Sequence, residues 1–176
     1  MKKKIIKCVV ALLFVILLFS NQTFFKEKMF VKEGKNLEEI YKIVKDYNDA
    51  YQILNETQTE NVPLDLFLSL VQTESKGNKH ALNTKNRNGS WDIGYCQLNT
   101  NSYKDKTVIE LMNPKTNIHL GILHLKKALQ QAQGNQTLAL LIYNAGYGAF
   151  CAGNVFAPTY KYAKNIIEFK NKINLV

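Results

Sequence analysis

The chain has 176 residues, 46% of them hydrophobic, 11% aromatic and 21% charged. That suits one domain with an appendage and excludes a disordered tail or a multi-span membrane protein. Three cysteines without a CxxC pair exclude a disulfide-dense miniprotein and a structural zinc site. The formal net charge is +9, and Lys2, Lys3, Lys4 and Lys7 place four positive charges at the N-terminus. The remainder is a mildly basic surface. It suits a polyanionic partner, cell wall or nucleic acid, without choosing between them.

After the lysines an unbroken apolar run extends from Cys8 to Phe19. As a helix it would rise roughly 18 Å, short of a hydrocarbon core of ~30 Å. A basic start and an apolar run of this length predict a secretory signal over residues 1–25. Only Ser20 offers a small residue at the end of the run, and no A-x-A pattern surrounds it. Retention as a membrane anchor, lengthened by Phe24 and Phe25, stays open beside cleavage. Outside this leader only Cys96 and Cys151 remain. In an oxidising compartment they form either one disulfide or two small buried hydrophobes.

Residues 26–60 read as a charged linker followed by an amphipathic helix. Leu37, Ile40, Tyr41, Val44, Tyr47 and Tyr51 recur at helical spacing, with Asn36 as N-cap and the polar stretch Asn55 to Asn61 as terminator. Residues 61–172 read as an all-α domain, with no strand run. Pro63 opens a helix to about Ser75, whose stripe Phe67, Leu70, Val71 ends on Glu74. A long irregular stretch, Lys76 to Ser90, follows, and such a stretch in a compact domain is often functional. Asn113-Pro114 opens the next helix, with Ile118, Ile122, Leu125 and Leu129 on one face. Gly134-Asn135 breaks the chain before a helix from Thr137 to Tyr143. Pro158 starts a last helix to about Lys172.

Glu74 sits at the end of an apolar stripe, where desolvation can hold a carboxyl protonated. Periodicity alone favours the plainer reading, a surface glutamate in the last helical turn. Asp92 lies in Gly89-Ser-Trp-Asp-Ile-Gly94 and is either an auxiliary carboxylate or a turn former. Gln97, Tyr143 and Asn144 are polar residues among apolar neighbours. His80, His119 and His124 read as structural or surface residues, because their spacing is poor for a metal. No nucleophile elbow and no phosphate loop occur.

Taken together, Glu74-Ser75, Gly94-Tyr95-Cys96-Gln97 and Tyr143-Asn144-Ala145-Gly146 resemble the three-motif signature of lytic transglycosylases of the soluble type. That family has Glu-Ser, Gly-Leu-Met-Gln and Tyr-Asn-Ala-Gly in this order. Asn113 to Ile118 with Gly121 and Leu125, and Pro158-Thr159 with Tyr162, are similar to its later motifs. Asn88 to Gly94 resembles the subgroup that accompanies secretion, pilus and conjugation machines. Tyr95 and Cys96 depart from the usual Leu-Met, which leaves the shape of one cleft wall unsettled.

The resemblance implies a lysozyme-like fold that cleaves peptidoglycan between N-acetylmuramic acid and N-acetylglucosamine, outside the cytoplasmic membrane, without cofactor or metal. It implies Glu74 as the catalytic acid, oriented by Ser75 and Tyr162. Gln97, Tyr143 and Asn144 would line sugar subsites, and Trp91, Tyr95 and Tyr147 are candidate stacking platforms. The implied partners are glycan strands, an envelope machine, and the membrane if the leader is uncleaved. Nucleic acid is not among them, because no helix carries a Lys/Arg cluster. Two other readings remain: a lysozyme using Glu74 and Asp92, and a non-catalytic wall-binding scaffold.

Overall fold

The computed structural model describes residues 29, 31–173 and 175. The expected leader, residues 1–25, lies outside them. The chain clusters into a segment ending at Asn36 and a compact unit, Leu37–Leu175. Among the described residues no helix is long and apolar enough to cross a membrane.

The compact unit opens with two helices where the sequence suggested one. Helix α1 ends at residue 44, Lys45 turns with φ +59°, and α2 covers Tyr47–Thr59. Asp46 caps α2 by accepting the backbone N–H of Asn48 and Asp49 at 2.9 and 3.2 Å. Residue 36 is itself helical, so Asn36 is not an N-cap. The polar stretch from Asn55 does not stop α2 either. Buried Thr57 donates its hydroxyl to the carbonyl of Ile53 at 2.7 Å, and its polar neighbours face solvent. Ile40, Val44, Ile53 and Leu54 join the core.

Helix α3, Leu64–Ser75, is buried along most of its length, with Leu66, Phe67, Leu68, Ser69, Leu70 and Val71 all inaccessible. An all-round apolar helix belongs at the centre of a domain, and α3 packs between α2 and α8. The loop after it carries a three-stranded antiparallel sheet of two-residue strands: β1 Leu82–Asn83, β2 Asp92–Ile93 and β3 Leu98–Asn99. Leu82 pairs with Ile93, and Ile93 with Leu98. The unit is mostly helical, as the sequence suggested, and the small sheet is an addition to that expectation. Strands of two residues carry no alternation to read.

Five more helices complete the unit. They are α4 Val108–Met112, α5 Pro114–Gln131, α6 Gln136–Ala145, α7 Tyr147–Cys151 and α8 Ala157–Lys170. Thr107 and Glu110 form a capping box on α4, Asn113 caps α5 ahead of Pro114, and Asn135 caps α6. Helix α5 packs on α2 and α6, and α6 and α3 both pack on α8.

Two buried contacts hold the sheet turn against α5. Asn117 accepts the backbone N–H of Cys96 at 2.9 Å and donates to the carbonyls of Ile93 and Leu111 at 2.8 and 2.9 Å. Gly121 lies under the Cys96 thiol, where a Cβ would fall 2.2 Å from Sγ. The two unusual residues of the second motif therefore both point inward. Tyr95 is fully buried and donates its hydroxyl to Asp49 Oδ2 at 2.8 Å. Asp49 is also ion-paired to Lys79 at 3.4 Å, so its buried carboxylate is not left uncompensated.

Candidate active site

The end of α3, the sheet, the end of α6 and α5 enclose a cleft of about 670 Å³. Glu74, Asp92, Gln97, His124, Tyr143 and Asn144 face it. A larger open groove of about 860 Å³ between α2 and α5 lacks a comparable acid, because its Glu56 carboxylate is shared by Gln52 and His119.

Glu74 is half-buried. The cleft walls desolvate its carboxyl and push its pKa up from the ordinary 4.5 to about 7. A hydrogen bond from Tyr162 pulls the other way, and the negative charge of Asp92 adds a smaller push upward. The Tyr162 hydroxyl donates to Glu74 Oε1 at 2.5 Å, reaching from α8 to α3 across 88 positions of sequence. Tyr162 and Tyr143 are pushed well above the ordinary tyrosine range by burial first and by nearby Glu74 and other groups second, so both remain proton donors. Ser75, to which the resemblance gave an orienting place, makes its hydrogen bond within α3. It is buried, and its hydroxyl donates to the carbonyl of Val71 at 3.1 Å.

Asp92 is held by side chains of its own loop. Its Oδ2 accepts the amides of Asn83 and Asn86, each at 2.9 Å, and its Oδ1 accepts the amide of Asn99 at 2.6 Å. Ser90 stitches the same ring, accepting from Asn86 and Asn99 and donating to Asn88. Three of about four acceptor sites of the carboxylate are thus taken. The asparagine-rich composition of the loop was visible in the sequence. Its convergence on one carboxylate was not.

The opposite wall is aromatic. Tyr143 donates its hydroxyl to the carbonyl of Cys96 at 3.1 Å, and its ring lies 4.4 Å from that of His124. His124 therefore belongs to the cleft, although its spacing in the sequence suggested a structural or surface residue. Tyr103 braces it by a 3.3 Å hydrogen bond to Nδ1. Gln97 sits at φ +45° and donates to the carbonyls of Gly94 and Ala81 at 3.0 and 3.3 Å. Asn144 is exposed at the rim, with Oδ1 accepting from Thr159 at 2.9 Å.

The region matched by the transglycosylase SLT domain family model is residues 52–167. The chain belongs to that family. The SLT fold is also similar to that of a crystallised inactive mutant of the lytic transglycosylase Slt from Pseudomonas aeruginosa, with a TM-score of 0.58 and 21% identity. The similarity covers 68% of this chain and 23% of that one, so the chain spans less than a quarter of that relative's length. No curated protein sequence matches the chain.

Two expectations for this SLT domain need correction. Cys96 and Cys151 are not bridged: Cys96 is buried against Gly121, whereas Cys151 is exposed at the end of α7, beside Tyr147. The sequence interval between two cysteines says nothing of their depth. Tyr95 cannot stack on a sugar, because it is core. Trp91 and Tyr147 are exposed, 38% and 47%, and remain accessible.

Proposed function

We propose that the chain is a peptidoglycan lytic transglycosylase. It cleaves the β-1,4 bond between N-acetylmuramic acid and N-acetylglucosamine and leaves 1,6-anhydromuramic ends. The observation that carries this reading is Glu74: a desolvated carboxyl, raised to about 7, in a cleft of about 670 Å³ lined by polar side chains. At neutral pH a large fraction of such groups still holds a proton. Glu74 gives that proton to the glycosidic oxygen, and an oxocarbenium-like sugar develops. The Glu74 carboxylate then takes the proton of the muramoyl C6 hydroxyl as its oxygen attacks C1. No water is consumed. The Tyr162 hydrogen bond favours the ionised acid, so it supports the second half of this sequence.

Asp92 favours a second reading, a lysozyme, because it shares the cleft. Its three amide partners leave little of the carboxylate free to activate water. We assign it to holding the loop and to raising Glu74. Gln97, Tyr143 and Asn144 line the sugar subsites, and residues 61–172 carry the activity. The turn Asn88 to Gly94 supports a place beside a secretion, pilus or conjugation machine. Substrate and leader together support an exported enzyme at the cell wall.

Mass spectrometry of muropeptides released from purified wall tests the reading. Anhydromuramic products are expected, and Glu74→Gln should lower their release by at least about a hundredfold while binding to wall persists. Products with reducing muramic ends alone would turn the assignment to the lysozyme.

A further inference from the structure

Tyr95 stands where the resemblance has a leucine, and it brings a polar atom into the core. The residue is fully buried, and its hydroxyl reaches 46 positions back along the chain to Asp49 Oδ2 at 2.8 Å. The carbonyl of Val44 lies beside it at 3.4 Å. A buried hydroxyl costs stability unless it is hydrogen-bonded. Packing alone would be served by an apolar side chain, so the hydroxyl calls for a role through its partner.

Asp49 receives a second contact at the same oxygen. Lys79, in the loop after α3, lies 3.4 Å from it and 2.8 Å from Asp46, the N-cap of α2. Two points of the sheet loop are thereby tied to the start of one helix: Lys79 before β1 and Tyr95 after β2. The same two parts of the loop also bond to each other. The Ala81 carbonyl accepts the Gly94 N–H at 2.8 Å and the Gln97 side-chain amide at 3.3 Å. Gly77, two residues before Lys79, lies against the α1 backbone, where a Cβ would fall 2.0 Å from the Ile43 carbonyl oxygen. Asp46 and Asp49 precede the residues matched to the SLT family.

This clamp is one peptide away from the cleft. Cys96 follows Tyr95, and its carbonyl accepts the hydroxyl of Tyr143. Gln97 comes next, with its backbone in the left-handed region. Gln97 and Tyr143 both line the cleft. Glu74 is held by a different contact, the Tyr162 hydroxyl from α8. We propose that Tyr95 is a positioning residue: its hydrogen bond to Asp49, shared with Lys79, fixes the backbone of Cys96 and Gln97 and so sets the wall on which the substrate lies, apart from the acid. Helices α1 and α2 then belong to the working site through Asp49. The part of this inference that concerns substrate rests on the proposed peptidoglycan reading.

Tyr95→Phe removes one oxygen and keeps the ring. Cleavage of soluble glycan strands by the full chain, well below its unfolding midpoint, should show KM raised about fivefold, the scale of one net hydrogen bond, with kcat within about twofold. The fall of activity near pH 7 should stay in place, because Glu74 keeps its burial and its Tyr162 bond. A loss of folded protein alone would lower kcat and leave KM unchanged, and that outcome overturns the inference. Asp49→Ala should raise KM similarly, and the double variant should raise it no more than the larger single change. Effects that multiply in the double variant also overturn it, since Tyr95 would then not act through Asp49. A second measurement needs no substrate: NMR of the folded full chain, whose signals do not respond to a loss of stability alone. Tyr95→Phe should move the Gln97 side-chain amide and the Tyr143 ring and leave the Tyr162 ring in place. Gln97 and Tyr143 signals that stay unmoved overturn the inference. A wild-type chain that cleaves no glycan, with these shifts present in the variant, would defeat the proposed function and leave the clamp standing.

Discussion

Tyr162 reaches from α8 to place its hydroxyl 2.5 Å from Glu74 Oε1, so the acid of the cleft is held by the far end of the domain. The bond favours the ionised carboxyl, while burial opposes it more strongly.

That balance predicts the pH profile. Cleavage needs the protonated acid, so activity should fall as pH rises through about 7. Removing the hydrogen bond in Tyr162→Phe removes the influence that lowers the pKa, and the fall should move to higher pH. The rate at the optimum should drop by about tenfold, the scale of a hydrogen bond to a charged group. Rates on purified wall between pH 5 and 9 check both. A profile that stays in place while the rate falls would assign Tyr162 to packing alone.

The same group sets a stability slope. In the unfolded chain Glu74 ionises near its ordinary 4.5, whereas the folded protein keeps the proton up to about 7. Between those values the folded state binds more protons, so stability falls as pH rises and levels off above about 7. The contribution is fully present below the unfolded value, and its loss amounts to at most about 3 kcal/mol. Glu74→Gln lacks this slope. Urea unfolding at pH 4.5 and pH 8 should therefore show the variant gaining on wild type at the higher pH.

Asp92→Asn should slow cleavage by about tenfold and still give anhydro ends. It removes the smaller upward push on Glu74 and leaves the amides of Asn83, Asn86 and Asn99 facing a poorer acceptor. Product analysis of the variant is the check. Inactivity as complete as that of Glu74→Gln would restore Asp92 as a reacting group.

Gly121→Ala should destabilise by about 2–3 kcal/mol, because its methyl would meet the Cys96 thiol at 2.2 Å in a packed core. Cys96→Ala in the same chain should recover part of that loss, although Cys96 Cβ, 2.8 Å from the added atom, remains. Denaturant midpoints of the two single variants and the double variant give the coupling. Thiol labelling with peptide mapping adds a check on depth: Cys151 should react in the folded protein and Cys96 only after unfolding.

Helices α3, α5, α6 and α8 were legible in the sequence because their apolar residues repeat at helical spacing and Pro, Asn and Gly mark their ends. The break at Lys45 was not, because the stripe from Ile40 through Tyr51 runs across it without a lapse in phase. Glu74 became legible only beside the later motifs, since its hydroxyl partner comes from α8 and the rest of its cleft from the sheet loop, α5 and α6. The amide ring around Asp92, the turn of Ser75 toward Val71 and the entry of His124 into the cleft are all tertiary. Each depends on which neighbour a side chain meets, and that neighbour lies on another element or across the loop.

The dependence of Glu74 on Tyr162 also orders events in time. A ribosome delivers α3 long before α8, and until Ala157–Lys170 docks, the carboxyl lacks its hydroxyl partner and α3 lacks the helix packed against it. A nascent or half-threaded chain carries an ordinary surface glutamate, ionised at neutral pH and useless as an acid. On the proposed mechanism, catalytic competence arrives with the closing helix, and a chain cut short before it is expected to be silent even with every other cleft residue in place.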